Sequence, residues 1–356
     1  MKRISYIDIA RAFAIIFIVF GHTIVHSVHM KQNVYTLLYS FHVPLFFLIS
    51  GYVFKVKNNF IEFFKNKFIR IMIPYFVWAV LFLIPYMILG ENVSSNLEVN
   101  AGFNIKQQFV KIIYGNGNLS ALRQNSSLWF LPALFSMQII FYLIIKYLDK
   151  NKNSKYILMF TMLILGYLCS KYLKFIFPWG INTTICLGIF FYIGYILKRD
   201  NFLERVKYFN NIYFFIVTVI IGSFSCFLNY RNVNCMDYEY GNYFLAILSG
   251  ISFSMAILYI SRKIDNNKIM EYIGRNTMGI VIFHKLIVLV FQTKLGKISS
   301  LLINSNFIVE LAISLLITVI SIFISLIINY IVDKICPVLI GNRKNKKVYN
   351  NLTVNV

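Results

Sequence analysis

The residues of this chain that can do chemistry are few, and most of them lie inside long apolar runs. The first run contains Tyr6-Ile7-Asp8-Ile9-Ala10-Arg11 and, further on, His22. Asp8 and Arg11 stand three apart, a helical spacing that lets them pair. Arg11 and His22 are eleven apart, which is roughly 20° beyond three full turns and about 16 Å of rise. One helical stripe therefore carries all three. An ionisable group inside a membrane span costs about 2.5–3.5 kcal/mol on insertion scales, so it faces the interior of a helix bundle. Asp8 and Arg11 read either as a neutralised pair anchoring a helix end or as groups that position a substrate. His22 reads either as a hydrogen-bonded histidine joining helices or as a general base. A buried imidazole tends to stay neutral, and it is the side chain best matched to taking a proton from a hydroxyl near neutral pH.

Further polar groups recur in later runs. The second carries Phe41-His42-Val43-Pro44 and ends in Ser50-Gly51-Tyr52. A proline there frees a backbone carbonyl and kinks a helix, and Ser-Gly lets another helix approach closely. Lys67 and Arg70 are one turn apart at the mouth of the third run, suited to gripping phosphates, although basic flanks of this kind also arise from topology alone. Ser126-Ser127-Leu128-Trp129-Phe130-Leu131 opens the fourth run, where Trp129 is either an interface anchor or a stacking surface for a sugar ring. Late in the chain, His284 and Lys285 sit inside another apolar stretch, which again demands a protein-lined interior.

The elements that must hold these groups follow from composition. With 58% hydrophobic, 17% aromatic and only 13% charged residues and a mean hydropathy of +0.68, a 356-residue chain cannot face water on all sides. It reads as an all-α integral membrane protein. Runs long enough to cross a bilayer predict ten helices, at about 5–28, 34–54, 70–90, 127–148, 156–173, 180–197, 211–229, 242–261, 276–293 and 307–333. The net charge of +22 lies mostly in short connections, alternately rich and poor in Lys and Arg. That alternation places both termini on the cytoplasmic side. Nucleic-acid binding, the other reading of a basic chain, lacks any accompanying basic helix, finger or sheet motif. The N-terminus has no small-x-small cleavage signal after its apolar run and reads as an uncleaved span. Five scattered cysteines form no CxxC pair, so neither a disulfide framework nor a metal site is expected; Cys235, in a polar loop, reads as a lone exposed thiol.

The longest connection, residues 91–126, falls outside. Ile105, Phe109, Ile112 and Ile113 recur in it at helical spacing and predict an amphipathic surface helix. Residues 1–335 read as one transmembrane domain and 336–356 as a basic, solvated cytoplasmic tail.

Taken together, these segments resemble the acyltransferase-3 family of bacterial membrane acyltransferases. The matching pieces are Tyr6 through Arg11 with His22 after ten intervening residues, Phe41-His42-x-Pro44 through Ser50-Gly51, Lys67-x-x-Arg70, Trp129-Phe130-Leu131 and His284, in order over roughly residues 1–335. One departure is Lys67, where many members carry Arg; charge is kept and the bidentate fork is lost. The resemblance implies a protein of the bacterial cytoplasmic membrane, with acetyl-CoA or another acyl-CoA as donor on the cytoplasmic side. The acceptor it implies is a hydroxyl, commonly on a cell-surface glycan or a lipid-linked sugar. On that expectation Lys67 and Arg70 hold donor phosphates, and Arg11, oriented by Asp8, positions the CoA arm or the thioester. His22 acts toward the acceptor, and His42, Trp129 and His284 support it or the acceptor. A polysaccharide or lipid-linked sugar exporter without acyl-transfer chemistry is the competing class; it needs a path for its cargo and no CoA site.

Overall fold

The computed structural model describes residues 4–24, 30, 33–56, 59–84, 105–115, 125–149, 153–229, 231, 233–295 and 306–342. Within them the elements are helices, with one isolated β-bridge between Asn234 and Glu239. In chain order they are α1 (Ser5–Thr23), α2 (Asn33–Tyr39), α3 (His42–Tyr52), α4 (Phe60–Lys67), α5 (Ile73–Leu81), α6 (Ile105–Tyr114) and α7 (Phe130–Tyr147). There follow α8 (Ser154–Tyr172), α9 (Ile181–Arg199), α10 (Ile212–Asn229), α11 (Tyr243–Ile264), α12 (Lys268–Arg275), α13 (Thr277–Leu295) and α14 (Phe307–Ile335). Short single turns complete the set.

The all-α membrane architecture holds. Seven of the described helical stretches are long and apolar enough to cross a bilayer, or eight if the bent pair α12–α13 is one span. Ten were expected. The helix α8 reaches 19 residues but carries Lys155 and Lys171 near its ends. The third expected span, 70–90, starts inside a π-helical turn, Phe68–Met72, that continues α4, and runs on through the nine residues of α5. Residues 25–28 and 85–90 of the expected spans lie outside the described residues.

Local chemistry fixes several helix starts. Asparagine side chains cap α4 (Asn59), α11 (Asn242), α12 (Asn267) and α14 (Asn306), each accepting from backbone N–H groups of the first turn. These donors have no partner within the helix, so an Asn cap stabilises each start by about 1 kcal/mol. Pro44 was expected to kink a helix. It lies in the first turn of α3, where a missing N–H costs nothing, and the chain breaks before it, between α2 and α3.

The core of the bundle is α1 surrounded by α3, α11, α12, α13 and α14. Beside it α3 packs on α9 at backbone contact. A Cβ placed on Gly51 would sit 1.8 Å from the Phe191 carbonyl oxygen, and one on Gly194 would sit 1.8 Å from that of Leu48. The close approach expected of Ser50-Gly51 is thus made, with Gly194 as the reciprocal half. The surface helix expected between residues 91 and 126 is present as α6, docked through Tyr75, whose hydroxyl donates to the Ile112 carbonyl at 2.9 Å. Its Phe109, Val110 and Ile113 are exposed. After α14 the chain folds back: Ile340 is buried and the Trp78 indole donates to the Leu339 carbonyl at 2.8 Å. The solvated character expected from residue 336 onward therefore does not extend to Pro337–Ile340; residues 343–356 lie outside the described residues.

Candidate active site

The stripe on α1 begins with a charge network. Asp8 is 5% exposed and accepts from Arg11 Nη1 at 3.1 Å and from Arg275 Nε, on α12, at 3.3 Å. Arg275 also pairs with Glu271, which accepts from the Ser5 hydroxyl at 2.6 Å. The pairing of Asp8 with Arg11 was legible in the spacing. The second arginine, brought in by α12, was not. Two carboxylates balance the two arginines, and the network holds the Arg11 charge at this end of α1.

That charge faces a chamber of about 480 Å³. Arg11, Lys67 and Arg70 line it together, as the sequence spacing suggested for each separately. Lys55 joins them, a residue that sequence reasoning did not single out. The π turn after Lys67 adds a residue to the local helical repeat, yet Lys67 and Arg70 still border the same space. Gln138 also lines it, and its buried Oε1 has no hydrogen-bond partner among the described residues.

The other end of the stripe opens on a second chamber, of about 140 Å³, which gathers His22, His42 and His284. The rings of His22 and His284 lie 5.3 Å apart. His42 donates from Nδ1 to the Leu38 carbonyl at 2.6 Å, and His284 does the same to Ile280 at 2.6 Å. A carbonyl only accepts, so in both rings the proton is on Nδ1 and a neutral ring offers Nε2 as an acceptor. The Ser127 hydroxyl reaches Nε2 of His284 at 3.4 Å. Ser127 is placed by Asn125, whose amide donates to the Ile282 carbonyl at 2.6 Å while its oxygen accepts from the Ser127 N–H at 3.2 Å. At the break between α2 and α3 the Leu38 carbonyl accepts from both the Phe41 N–H, at 3.2 Å, and His42.

Trp129 borders this chamber too. It is joined by aromatic groups that sequence reasoning missed: Tyr35 and Tyr39 stack with centroids 3.7 Å apart, and Tyr39 meets His42 edge-on at 4.6 Å. Their i, i+4 spacing on α2 was the available signal. The remaining wall is the turn at Asn234, Cys235 and Met236, closed by the Asn234 side chain accepting from Met236 and Asp237 N–H groups at 3.1 and 3.3 Å. Cys235 is 4% exposed, which corrects its reading as an exposed thiol: the turn packs it inward, and burial pushes the thiol up to about 12.

Both chambers are built on the same four segments. The helix α1 gives Arg11 to one and His22 to the other; α3 gives Ser50 and His42; the start of α7 gives Leu134 and Trp129; α13 gives Met278 and His284. The two chambers are neighbours, one cationic and the other lined by imidazole acceptors and aromatic faces.

No curated protein and no solved structure matches the chain. A family model described as an acyltransferase domain matches residues 4–330. That span takes in every residue lining the histidine chamber and all but Gly341 of those lining the basic one, and on it this multi-pass membrane protein belongs to the acyltransferase-3 family.

Proposed function

We propose that this protein transfers an acyl group, acetyl first among them, from cytoplasmic acyl-CoA to a hydroxyl of an extracytoplasmic glycan or lipid-linked glycan precursor in the bacterial cell membrane. The observation that carries this reading is the pair of neighbouring chambers with unlike linings, which share Phe130 and Val281 in their walls. Arg11, Lys55, Lys67 and Arg70 around one chamber suit the phosphates of a CoA donor, where charge-assisted hydrogen bonds to an anion are about twice as strong as neutral ones. Gln138, whose orphaned acceptor costs about 1–3 kcal/mol while unmet, offers it to an amide N–H of the donor arm.

At the other end, His22 takes the proton of the acceptor hydroxyl as that oxygen attacks the thioester carbon. His284, with Nδ1–H fixed on the Ile280 carbonyl, and His42, fixed on Leu38, orient His22 and the acceptor. Trp129, Tyr35 and Tyr39 supply flat faces of the kind that stack on sugar rings. Excess Lys and Arg on the flanks of the basic chamber support a cytoplasmic orientation for that end, the side on which acyl-CoA is made.

The test is transfer from labelled acetyl-CoA in membranes holding the wild type or His22→Ala. Label entering a glycan fraction with the wild type, and lost at least a hundredfold with the variant at equal folded protein, is the expected result. A variant that still transfers ends the assignment of His22, and a wild type that exports glycan without consuming acetyl-CoA ends the acyl-transfer reading.

A further inference from the structure

Phe130 and Val281 line both chambers, and the reaction as proposed leaves them unused. Each stands one helical turn from a polar member of the histidine chamber: Ser127 lies three residues before Phe130, and His284 three residues after Val281. Both side chains are buried, at 7% and 4% exposure. The Phe130 ring is held from behind by Phe46 and Phe47, with centroids at 5.6 and 5.3 Å, so it does not swing aside without disturbing α3. At this layer the boundary between the chambers is apolar. Phosphates and amides entering it forfeit hydrogen bonds at several kcal/mol each, whereas an alkyl chain gains by leaving water.

Resting on the acyl-transfer reading, we propose that Phe130 and Val281 form the passage through which the acyl group alone reaches His22, and that their bulk sets the longest acyl chain transferred. The thioester carbon has to come within bonding reach of the acceptor oxygen while its sulfur remains attached to a donor held by the cations behind. The thioester therefore lies in the passage, with the acyl chain ahead of it. The acceptor O–C bond forms, the C–S bond breaks, the acceptor proton goes to the His22 imidazole, and the CoA thiolate withdraws and takes up that proton. Every carbon added to the acyl chain must clear the gap between Phe130 and Val281 and share a chamber of about 140 Å³ with the acceptor. A single methylene in such a fit discriminates by about 10–200-fold.

The experiment measures thiol release from acetyl-, butyryl- and hexanoyl-CoA in membrane vesicles from cells producing the protein, which carry the hydroxyl acceptor. The wild type is expected to prefer acetyl-CoA. Val281→Ala should raise the butyryl-to-acetyl ratio of kcat/KM about tenfold, and Phe130→Leu should move it the same way. Val281→Phe should cut transfer from every donor at least a hundredfold while CoA affinity, measured by calorimetry on the purified protein, stays within threefold. An unchanged ratio in both Val281→Ala and Phe130→Leu, or wild-type transfer by Val281→Phe, overturns the proposal. A wild type that neither binds CoA nor releases thiol from any donor overturns the acyl-transfer reading instead, and the passage with it.

Discussion

His22, at the end of α1, and His284, in the middle of α13, meet with ring centroids 5.3 Å apart and planes tilted by 37°. The second ring is fixed on both sides, by the Ile280 carbonyl at Nδ1 and by Ser127 at Nε2. It is thus a rigid acceptor beside a histidine that has to hold one orientation. His284→Phe, which keeps the shape and removes the acceptor, is expected to lower kcat about 10–100-fold with the KM for acyl-CoA within twofold. The rate–pH profile should lose or shift its lower limb. Ser127→Ala should cost less than fivefold, because a 3.4 Å contact is at the weak end of hydrogen bonding. An unaltered pH profile in His284→Phe would show that the ring only fills space.

The cations of the basic chamber are expected to act on donor binding and not on chemistry. Arg70→Gln and Lys67→Gln should each raise the KM for acetyl-CoA about tenfold at low salt with kcat nearly unchanged, and the difference should shrink as ionic strength rises. Lys67 lies over the Phe63 ring at 5.3 Å, so Lys67→Arg keeps that contact and adds a fork; a lower KM is expected. A fall in kcat with KM unchanged in these variants would place the two residues elsewhere in the reaction.

Asp8 joins α1 to α12 through Arg275 and pairs within α1 with Arg11. Removing the carboxylate leaves Arg11 and Arg275 repelling each other across a partly buried site. Asp8→Ala should lower stability by about 2 kcal/mol and loosen Arg11 enough to raise the donor KM severalfold. Thermal unfolding in detergent, followed with and without CoA, checks both parts. A simultaneous Asp8→Ala, Arg275→Ala change should recover part of the stability, since the repulsion between the two arginines is gone.

Backbone contact between α3 and α9 leaves no room for a methyl group. Gly51→Ala and Gly194→Ala each put a carbon 1.8 Å from a carbonyl oxygen, and the helices have to move apart. A loss of about 2–4 kcal/mol is expected, seen as reduced yield of monodisperse protein. Wild-type yield and melting for either variant would contradict the packing.

Cys235 carries a pH signature. Burial raises its thiol to about 12, above the roughly 8.5 of an exposed thiol. Between these values the unfolded chain has lost the proton and the folded chain keeps it. The associated stability is full below about pH 8.5 and falls by up to about 1.4 kcal/mol per pH unit above it. Melting temperatures of wild type and Cys235→Ala should therefore converge as pH rises from 8 to 10.5. At pH 7.5 a membrane-impermeant maleimide should leave Cys235 unmodified in the folded protein.

The apolar runs and the Asp8–Arg11 pair were legible in the sequence because each depends on neighbours within a short stretch of chain. Spacing also assigned Arg11 and His22 to one stripe, since an α-helix fixes rotation and rise per residue. It misjudged Pro44, because whether a proline kinks a helix or begins one depends on where the helix starts. It misjudged Cys235 for a similar reason: a polar loop turns inward when its turn geometry and the neighbouring helices make room.

What tertiary structure alone decided was company. Arg275 reaches Asp8 and Ser127 meets His284 across contacts between segments far apart in the chain, and the breaks between neighbouring helices bring Lys55 to Lys67 and Arg70 and turn Tyr35 and Tyr39 to His42. No local periodicity encodes which face of one helix packs on which face of another; that follows from the joint fit of all of them. The same fit places Phe130 and Val281 on the boundary between two chambers, where two ordinary apolar residues acquire a position that their types do not announce.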